Sequence, residues 1–250
     1  MLPPMSAPPN TPATPGLDAD LHGRPMRSLR LSITDRCNLR CGYCMPGEDY
    51  DWLPARDILS FEEVLRLTGL FADLGANRLR LTGGEPLLRK SADKLVAMLC
   101  AAGRFDEIAM TTNGLGLVRY ASALKDAGLD RLTISLDSLQ RERVAALSGR
   151  DSLEQVLAGI DAAAAAGFTG TKLDTVVMAG KNDDELPALL AFGAERDIEV
   201  RFIEYMDVPG AIAWEPDLVT TRVEMLERIA AAVGGEPTPH GQRGSAPAAR

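Results

Sequence analysis

The sequence lacks a long hydrophobic run. Although 46% of its 250 residues are hydrophobic, no apolar stretch approaches the roughly 18 residues that a membrane-spanning helix needs. The N-terminus also lacks the basic start and apolar core of a secretory signal. We therefore expect a cytoplasmic protein with no membrane partner.

Positive charge is also scarce. Lysine and arginine together number 27 against 35 aspartates and glutamates, which gives a formal net charge of −8. A general nucleic-acid binder needs a cationic face for phosphates, so this balance argues against a nucleic-acid partner. An anionic ligand would have to be bound by a few local arginines and lysines.

Cysteine and histidine are scarce, with four and two residues. Three of the four cysteines, Cys37, Cys41 and Cys44, lie in TDRCNLRCGYCMP at 34–46, with no histidine nearby. Clustered thiols in a reducing compartment are more often ligands than disulfides. A structural zinc site needs four protein ligands, whereas iron–sulfur clusters are held by thiolates. Three thiolates predict one four-iron cluster with an open iron; the alternative is unrelated cysteines or a zinc site completed by a distant residue. Cys100 is predicted to be a buried small hydrophobe.

Prolines are concentrated before Met26, where the sequence pattern changes. The arm at 1–25 has no hydrophobic period and is predicted to be disordered, and a loose tail is predicted at 234–250. In the domain between them, at 26–233, short apolar runs alternate with helical patterns. The runs predicted as strands are 28–34, 78–82, 107–112, 131–136, 171–177 and 200–206.

Helix signals separate these runs, so that a strand followed by a helix repeats six times. Ser60 and Glu63 form a capping box. Such alternation predicts parallel strands, either in an open doubly wound sheet or in a complete or partial barrel. The glycines predicted to end helices are Gly75, Gly103, Gly128 and Gly167.

Unusual residues fall where strands end. The cysteine loop follows the first strand, GGEP at 83–86 follows the second, and Ser135 and Met206 end the fourth and sixth. Both barrels and open α/β sheets build their active sites at the carboxyl ends of their strands. We therefore expect these residues to share one site.

The C-x3-C-x2-C loop, with Tyr43 before its last cysteine and GGEP after the second strand, resembles the radical S-adenosylmethionine (radical SAM) superfamily. The resemblance implies an α/β fold, an incomplete parallel (β/α)6 barrel, since six strands are too few to close the usual eight-stranded ring. It also implies a [4Fe-4S] cluster on Cys37, Cys41 and Cys44 whose open iron chelates SAM. An electron from a reductant then cleaves SAM, and a 5′-deoxyadenosyl radical removes hydrogen from an unactivated carbon. No catalytic triad or carboxylate pair is found or needed.

Within this superfamily the flanking sequence is similar to the GTP 3′,8-cyclases of molybdenum cofactor (molybdopterin) biosynthesis. The similar segments are LRLSITDRCNLRCGYCMP, RLTGGEPLLR, MTTNG, ISLDSL, TKLDTVVM and FIEYMDV. The resemblance implies a lyase that joins C3′ of GTP to guanine C8. The product, (8S)-3′,8-cyclo-7,8-dihydroguanosine 5′-triphosphate, would pass to cyclic pyranopterin monophosphate synthase. The implied SAM contacts are Tyr43, Gly83, Gly84, Glu85, Ser135 and Met206, and the implied GTP contacts are Arg30, Arg80, Thr111 and Lys172.

Several of these residues have a structural alternative. Gly83 and Gly84 could only form a turn, although glycines also let backbone approach a ligand closely. Met206 could pack in the core. Arg30 lies in an alternating strand and could face solvent. Lys172 lies in an apolar strand, where an unpaired inward lysine is costly, so it either binds a ligand or faces outward.

The sequence departs from the cyclases in one respect. Those proteins carry further cysteines in a C-terminal region, where a second four-iron centre binds guanine, whereas no cysteine follows Cys100 here. We therefore expect a fragment or a natural truncation with one cluster. A non-catalytic cluster-binding and SAM-binding chain, or a radical SAM enzyme with another substrate, remain alternatives. The sequence specifies neither the electron donor nor the oligomeric state, and a homodimer is compatible with it.

Overall fold

The chain forms one open parallel sheet with helices packed against it. In the computed structural model the described residues are 19–20, 22–45, 47, 49–206, 214–235, 239–240 and 248–249. Most of the predicted arm and tail lies outside these ranges. The strands are β1 (Ser28–Ser32), β2 (Arg78–Thr82), β3 (Glu107–Thr112), β4 (Arg131–Ser135), β5 (Lys172–Val177), β6 (Glu199–Glu204), and the two-residue strands β7 (Pro239–His240) and β8 (Ala248–Ala249). The helices are α1 (Phe61–Asp73), α2 (Ala92–Ala101), α3 (Leu117–Asp126), α4 (Arg141–Ser148), α5 (Leu153–Ala165), α6 (Leu186–Glu195) and α7 (Arg222–Val233).

The six long strands lie in the sheet in the order in which they occur in the sequence. Every neighbouring pair is parallel, and within the described residues neither β1 nor β6 has a second long partner. The sheet is therefore open, as six strands led us to expect. None of the described helices is long and apolar enough to cross a bilayer.

The two faces of the sheet differ because side chains alternate along each strand. On one face Leu79, Leu81 and Met110 are almost completely buried, and they form the core with the helices. The opposite face carries the polar residues, and we call it the inner face. The strand register aligns on it Arg30, Arg78, Arg80, Thr82, Glu107, Thr111, Arg131, Thr133, Ser135, Lys172, Asp174, Glu199 and Arg201.

The segment between β4 and β5 contains two helices where the repeat predicted one. The helical sequence breaks at Gly149, whose φ of +71° is in the left-handed region. A Cβ there would lie 3.1 Å from the carbonyl oxygen of Arg40. The break thus lets the end of α4 contact the cysteine loop, a requirement that is not visible in the local sequence.

The predicted helix ends are confirmed. The Ser60 hydroxyl accepts a hydrogen bond from the Glu63 amide at 3.2 Å, and the Glu63 carboxylate accepts one from the Ser60 amide at 2.7 Å, which is the predicted capping box. The four glycines predicted to end helices all have positive φ values, namely Gly75 (99°), Gly103 (60°), Gly128 (95°) and Gly167 (83°).

We expect Ser60→Ala to lower the free energy of unfolding by about 1 kcal/mol, because the first turn of α1 loses an acceptor. Ser91→Ala is the control, since Ser91 precedes α2 without a side-chain capping bond. Urea denaturation of both variants would measure the difference. Equal losses in the two variants would mean that the capping bond contributes nothing.

Candidate active site

A pocket lies at the carboxyl ends of β2, β3 and β4, beside the loop that follows β1. Its volume is about 190 Å³, and its walls combine the three loop thiols with polar residues from the strand ends and apolar residues of α4 and α5. The pocket therefore joins segments that are far apart in the sequence. Among the predicted site residues it brings together Cys37, Cys41, Cys44, Tyr43, Gly84, Glu85, Thr111 and Ser135.

The cysteine loop is held on one side by the end of α4. The Arg40 amide donates to the Ser148 carbonyl at 2.8 Å, and the Gly42 amide donates to the Leu147 carbonyl at 3.1 Å. Leu147 and Ser148 also line the pocket. These bonds fix the backbone around Cys41, so its sulfur position depends on helix α4.

On its other side the loop lies directly against the glycine turn after β2. The Gly84 amide donates to the Thr34 carbonyl at 2.8 Å, and the Glu85 amide donates to the Arg36 carbonyl at 2.7 Å. A Cβ on Gly84 would lie 2.3 Å from the Arg36 oxygen, and one on Gly83 would lie 2.4 Å from the Thr34 oxygen. The paired glycines are therefore required for contact between two backbone segments, in addition to any role toward a ligand.

The Glu85 side chain is a buried link between β2 and β3. It is 2% exposed and accepts hydrogen bonds from the Thr112 hydroxyl at 2.7 Å, the Asn113 amide at 2.7 Å and the Leu87 amide at 3.0 Å. Burial raises the pKa of Glu85, and these three donors oppose that shift. The Glu85 carboxylate, with three protein donors, therefore joins β2 to β3.

Tyr43 is anchored by a residue that the sequence did not single out. Its hydroxyl donates to Asp137 Oδ2 at 2.6 Å, and Asp137 Oδ1 accepts from the Val176 amide at 2.9 Å. Burial raises the pKa of Asp137 to about 6, against the lowering effect of the Tyr43 hydrogen bond. Burial also raises the pKa of Tyr43, and the nearby Asp137 charge adds to the shift. This contact connects the cysteine loop to β4 and β5.

We expect Tyr43→Phe to lower the free energy of unfolding by about 1–2 kcal/mol, because Asp137 Oδ2 would lose its donor in a poorly solvated position. Tyr120→Phe is the control, since no hydrogen bond of the Tyr120 hydroxyl is found in the described part of the chain. Both variants would be compared by urea denaturation at pH 7.5. A loss for Tyr43→Phe no larger than for Tyr120→Phe would contradict the expectation.

The three loop thiols face the pocket as neutral groups. Burial raises the pKa of Cys41 to about 12, with a further contribution from the Asp137 charge, and burial likewise raises the pKa of Cys37 and of Cys44. Metal binding deprotonates thiols, so filling the site would release protons.

The chemistry of this donor set fits an iron–sulfur cluster. The thiols of Cys37, Cys41 and Cys44 line one pocket, and thiolates are the ligands that hold such clusters. These three residues are therefore the ones that could hold the predicted iron–sulfur centre.

The fourth cysteine lies outside this pocket. The Cys100 thiol donates to the Gly128 carbonyl at 3.3 Å, and its side chain packs against the core of α2. It is half-buried, whereas the sequence predicted a buried small hydrophobe. Its position separates it from the three ligand candidates, as expected.

Lys172 is inward, buried and paired. It is 7% exposed, and its Nζ donates to both carboxylate oxygens of Glu199 at 2.7 Å. Arg201 Nε donates to the same carboxylate at 2.8 Å. Burial lowers the pKa of Lys172, and the Glu199 hydrogen bond opposes that shift. The outward alternative is therefore wrong for Lys172, and Glu199 on the next strand supplies a partner that the sequence did not indicate.

Arginines surround this pair on the inner face. Arg80 Nη1 donates to the Thr133 hydroxyl at 3.3 Å, and burial, followed by the repulsion of neighbouring arginines, lowers the pKa of Arg80. Arg131 forms an ion pair with Glu107. Arg30 is on this face but solvent-exposed, because β1 is an edge strand. Cations outnumber acids on the inner face, despite the negative charge of the whole chain.

A family model described as the Radical SAM superfamily matches residues 31–193, which include the end of β1, the cysteine loop, the glycine turn and strands β2 to β5. The chain belongs to this superfamily. Membership implies a [4Fe-4S] cluster and SAM as cofactors, which confirms that part of the prediction.

Curated relatives of this radical SAM chain include GTP 3′,8-cyclases, the group that its sequence resembles. GTP 3′,8-cyclase 1 of Mycobacterium tuberculosis (strain ATCC 25618 / H37Rv) is 48% identical over 232 residues, which cover 91% of this chain and 64% of that protein. GTP 3′,8-cyclase of Streptomyces coelicolor is 44% identical over 237 residues, covering 92% and 68%. The chain thus spans about two thirds of their length, and the predicted resemblance is confirmed.

Solved structures with little sequence identity share the fold. SuiB of Streptococcus suis, in a structure with S-adenosylmethionine bound, is 20% identical with a TM-score of 0.63, over 84% of this chain and 47% of that one. The hydrogenase maturase HydG of Carboxydothermus hydrogenoformans is 13% identical with a TM-score of 0.62, over 83% and 51%. The predicted incomplete (β/α)6 barrel of the radical SAM type is confirmed.

Two predicted SAM contacts are not among the residues that line the pocket of this radical SAM chain. Met206 follows the end of β6 by two residues and is 61% exposed, whereas Gly83 lies between Thr82 and Gly84, which both line the pocket. Asn113, in the TTNG sequence that follows the third predicted strand, also lines the pocket. Asn38 was missed, although its side chain accepts a hydrogen bond of 2.8 Å from Asn113 and so joins the loop to the end of β3.

Proposed function

We propose that this chain is the radical SAM portion of a GTP 3′,8-cyclase acting in molybdenum cofactor biosynthesis. Its identity to curated cyclases supports this proposal. The observation that carries it is the continuity of two features: the thiol pocket and the cation-rich inner face meet at Thr111 and Ser135, which belong to both. A nucleotide triphosphate on the inner face would thus lie beside the cofactor pocket.

The proposed cofactor set is one [4Fe-4S] cluster and one SAM molecule on this chain. When bound, they would supply a carbon-centred radical that removes a hydrogen atom from the substrate. Cys37, Cys41 and Cys44 would hold the cluster, and the Tyr43–Asp137 hydrogen bond would fix the loop that carries them. The residues proposed to contact SAM are Tyr43, Gly83, Gly84, Glu85, Ser135 and Met206.

The inner face would bind the triphosphate of GTP. Arginine guanidinium groups bind phosphate oxygens in pairs, and Lys172 adds a point charge. Lys172 is held in place by Glu199, so little side-chain entropy would be lost when a phosphate binds near it. The residues proposed to contact GTP are Arg30, Arg80, Thr111 and Lys172.

The chain would contribute to the reaction by holding the cofactor and the substrate in position. Apolar residues of the pocket, including Leu136, Val144 and Leu147, would exclude water from the reacting atoms. A misplacement of the ribose by about 1 Å can cost on the order of a hundredfold in rate, so the strand ends must fix both the cofactor and the sugar. An external reductant would start each turnover, and the product would pass to the next enzyme of the pathway.

The test is deuterium transfer from GTP. The chain, reconstituted anaerobically with iron and sulfide, would be incubated with SAM, dithionite and GTP deuterated at C3′. Because the chain spans 64% of a curated cyclase, it would be tested alone and joined to the C-terminal region that the cyclases carry. We expect the chain alone to cleave SAM but to form little or no 3′,8-cyclo-GTP, and the extended chain to transfer deuterium to 5′-deoxyadenosine and to form the product. GTP deuterated at C2′ is the matched control and should transfer none.

The alternatives give different results. SAM cleavage without deuterium transfer by the extended chain would show that its radical SAM portion does not place GTP, and would contradict the proposal. Equal yields of 3′,8-cyclo-GTP from the chain alone and from the extended chain would show that the guanine is positioned without the added region. Deuterium transfer from another nucleotide but not from GTP would identify a radical SAM enzyme with a different substrate. Mass spectrometry of both products distinguishes these cases in one experiment.

A further inference from the structure

Unpaired polar atoms are concentrated on the inner face. Of the buried side-chain nitrogen and oxygen atoms without a hydrogen-bond partner in the described part of the chain, Thr111 Oγ1, Arg131 Nε and Asp174 Oδ1 lie on this face. Folded proteins rarely leave such atoms unpaired, and each exception calls for a missing partner. These three atoms are therefore available to a ligand on the inner face.

Asp174 is the most unusual of the three. No hydrogen bond or ion pair of its carboxylate is found among the described residues, although it lies beside Arg201 in the strand register. Burial raises the pKa of Asp174, and the cations Arg201 and Arg80 only oppose that shift. The residue is half-buried: Oδ1 is buried without a partner, whereas Oδ2 is not among the buried atoms. A carboxylate in this state is available to a donor from a ligand.

The position of Asp174 indicates which part of a ligand it would contact. It is aligned with Ser135, which lines the cofactor pocket, and it is two residues beyond Lys172 on the same strand. A carboxylate repels phosphate, so the phosphates must lie on the cations and not on Asp174. The group between the phosphates and the reacting end of a nucleotide is its ribose, whose hydroxyls are neutral donors.

We propose that Asp174 accepts a hydrogen bond from a ribose hydroxyl of the substrate nucleotide and so selects ribonucleotides over deoxynucleotides. This inference rests on the proposed function, because it takes the inner face to be the nucleotide site. SAM also carries a ribose, but Asp174 does not line the thiol pocket, and the cations that act most strongly on its charge, Arg201, Arg80 and Arg30, belong to the inner face. The substrate ribose is therefore the partner that its surroundings favour.

The test is anaerobic calorimetric binding of GTP, 2′-deoxy-GTP, 3′-deoxy-GTP and inorganic triphosphate to the reconstituted chain. For the unmodified chain we expect at least one deoxynucleotide to bind about tenfold more weakly than GTP, the size expected for a hydrogen bond to a charged group. In Asp174→Leu, which has no acceptor, that difference should fall to within about twofold. Affinity for inorganic triphosphate should stay equal or rise, because a negative charge is removed.

Asp174→Asn separates the hydrogen bond from the charge. The amide oxygen of the new asparagine still accepts a hydrogen bond, so part of the discrimination between GTP and the deoxynucleotides should remain. If Asp174 only balanced the charge of the cations, Asp174→Asn and Asp174→Leu would show the same discrimination. Equal discrimination in the unmodified chain and in Asp174→Leu would overturn the inference alone. A change in SAM binding without a change in nucleotide discrimination would also overturn it, since the contact would then belong to the cofactor. Absence of GTP binding to the unmodified chain would overturn the proposed function and this inference with it.

Discussion

Cys41→Ser should leave the anaerobically reconstituted chain with little iron. Its backbone is fixed between α4 and the glycine turn, so no other side chain can move into its place. Loss of an outer-shell partner alone costs about 10–100-fold in metal affinity, and loss of a ligand should cost at least as much. Iron and sulfide analysis, with the absorbance band of the cluster, would measure the effect.

Cys100→Ser is the matched control for this experiment. It removes a thiol whose described contacts are on the other side of the helix layer, at Gly128 and the core of α2. Its iron content should equal that of the unmodified chain. Equal iron losses in the two variants would contradict our ligand assignment, and zinc near one per chain with almost no iron would contradict the cluster itself.

Gly84→Ala should destabilise the fold by about 3 kcal/mol and also reduce cluster binding. The new methyl carbon would meet the carbonyl oxygens of Arg36 at 2.3 Å and Asp35 at 2.5 Å, both of which belong to backbone. Backbone cannot rotate away as a flexible side chain can. The loop would have to separate from the turn, which breaks the bonds from Gly84 to Thr34 and from Glu85 to Arg36.

Gly42→Ala tests whether any added methyl group on this loop has the same effect. Nothing lies within 4 Å of a Cβ at Gly42, and its φ is not positive. Its free energy of unfolding should change by less than about 0.5 kcal/mol. Urea denaturation and iron analysis of both variants would decide: if Gly84→Ala proved as mild as Gly42→Ala, the close backbone contact would not be essential.

The strands could be predicted because the alternation of short apolar runs with helical patterns is visible in the local sequence. Each predicted strand overlaps an observed one, and the errors are at the ends. The first run was expected to reach Thr34, but β1 ends at Ser32, where the chain turns into the loop while the Ile33 amide still bonds to the Thr82 carbonyl. The break between α4 and α5 was missed because its cause is contact with Arg40, more than a hundred residues earlier.

The candidate site could be predicted only where its residues are close in sequence. The three cysteines share one short segment, so their spacing was sufficient. Tyr43 and Asp137 are 94 residues apart, and Lys172 and Glu199 are 27 apart, so neither pairing was visible before the strand register was known. Register also brings Arg201 and Asp174 onto the inner face, where no local pattern marked them.

The order of the strands in the sheet has a consequence for synthesis of the protein. Each long strand pairs only with its neighbours in the sequence, so the sheet can grow from one edge as the chain leaves the ribosome. Every residue that lines the thiol pocket lies between Cys37 and Val156. Lys172, Asp174 and Arg201 emerge later. The residues that line the cofactor pocket therefore leave the ribosome before the face that we assign to the nucleotide is complete.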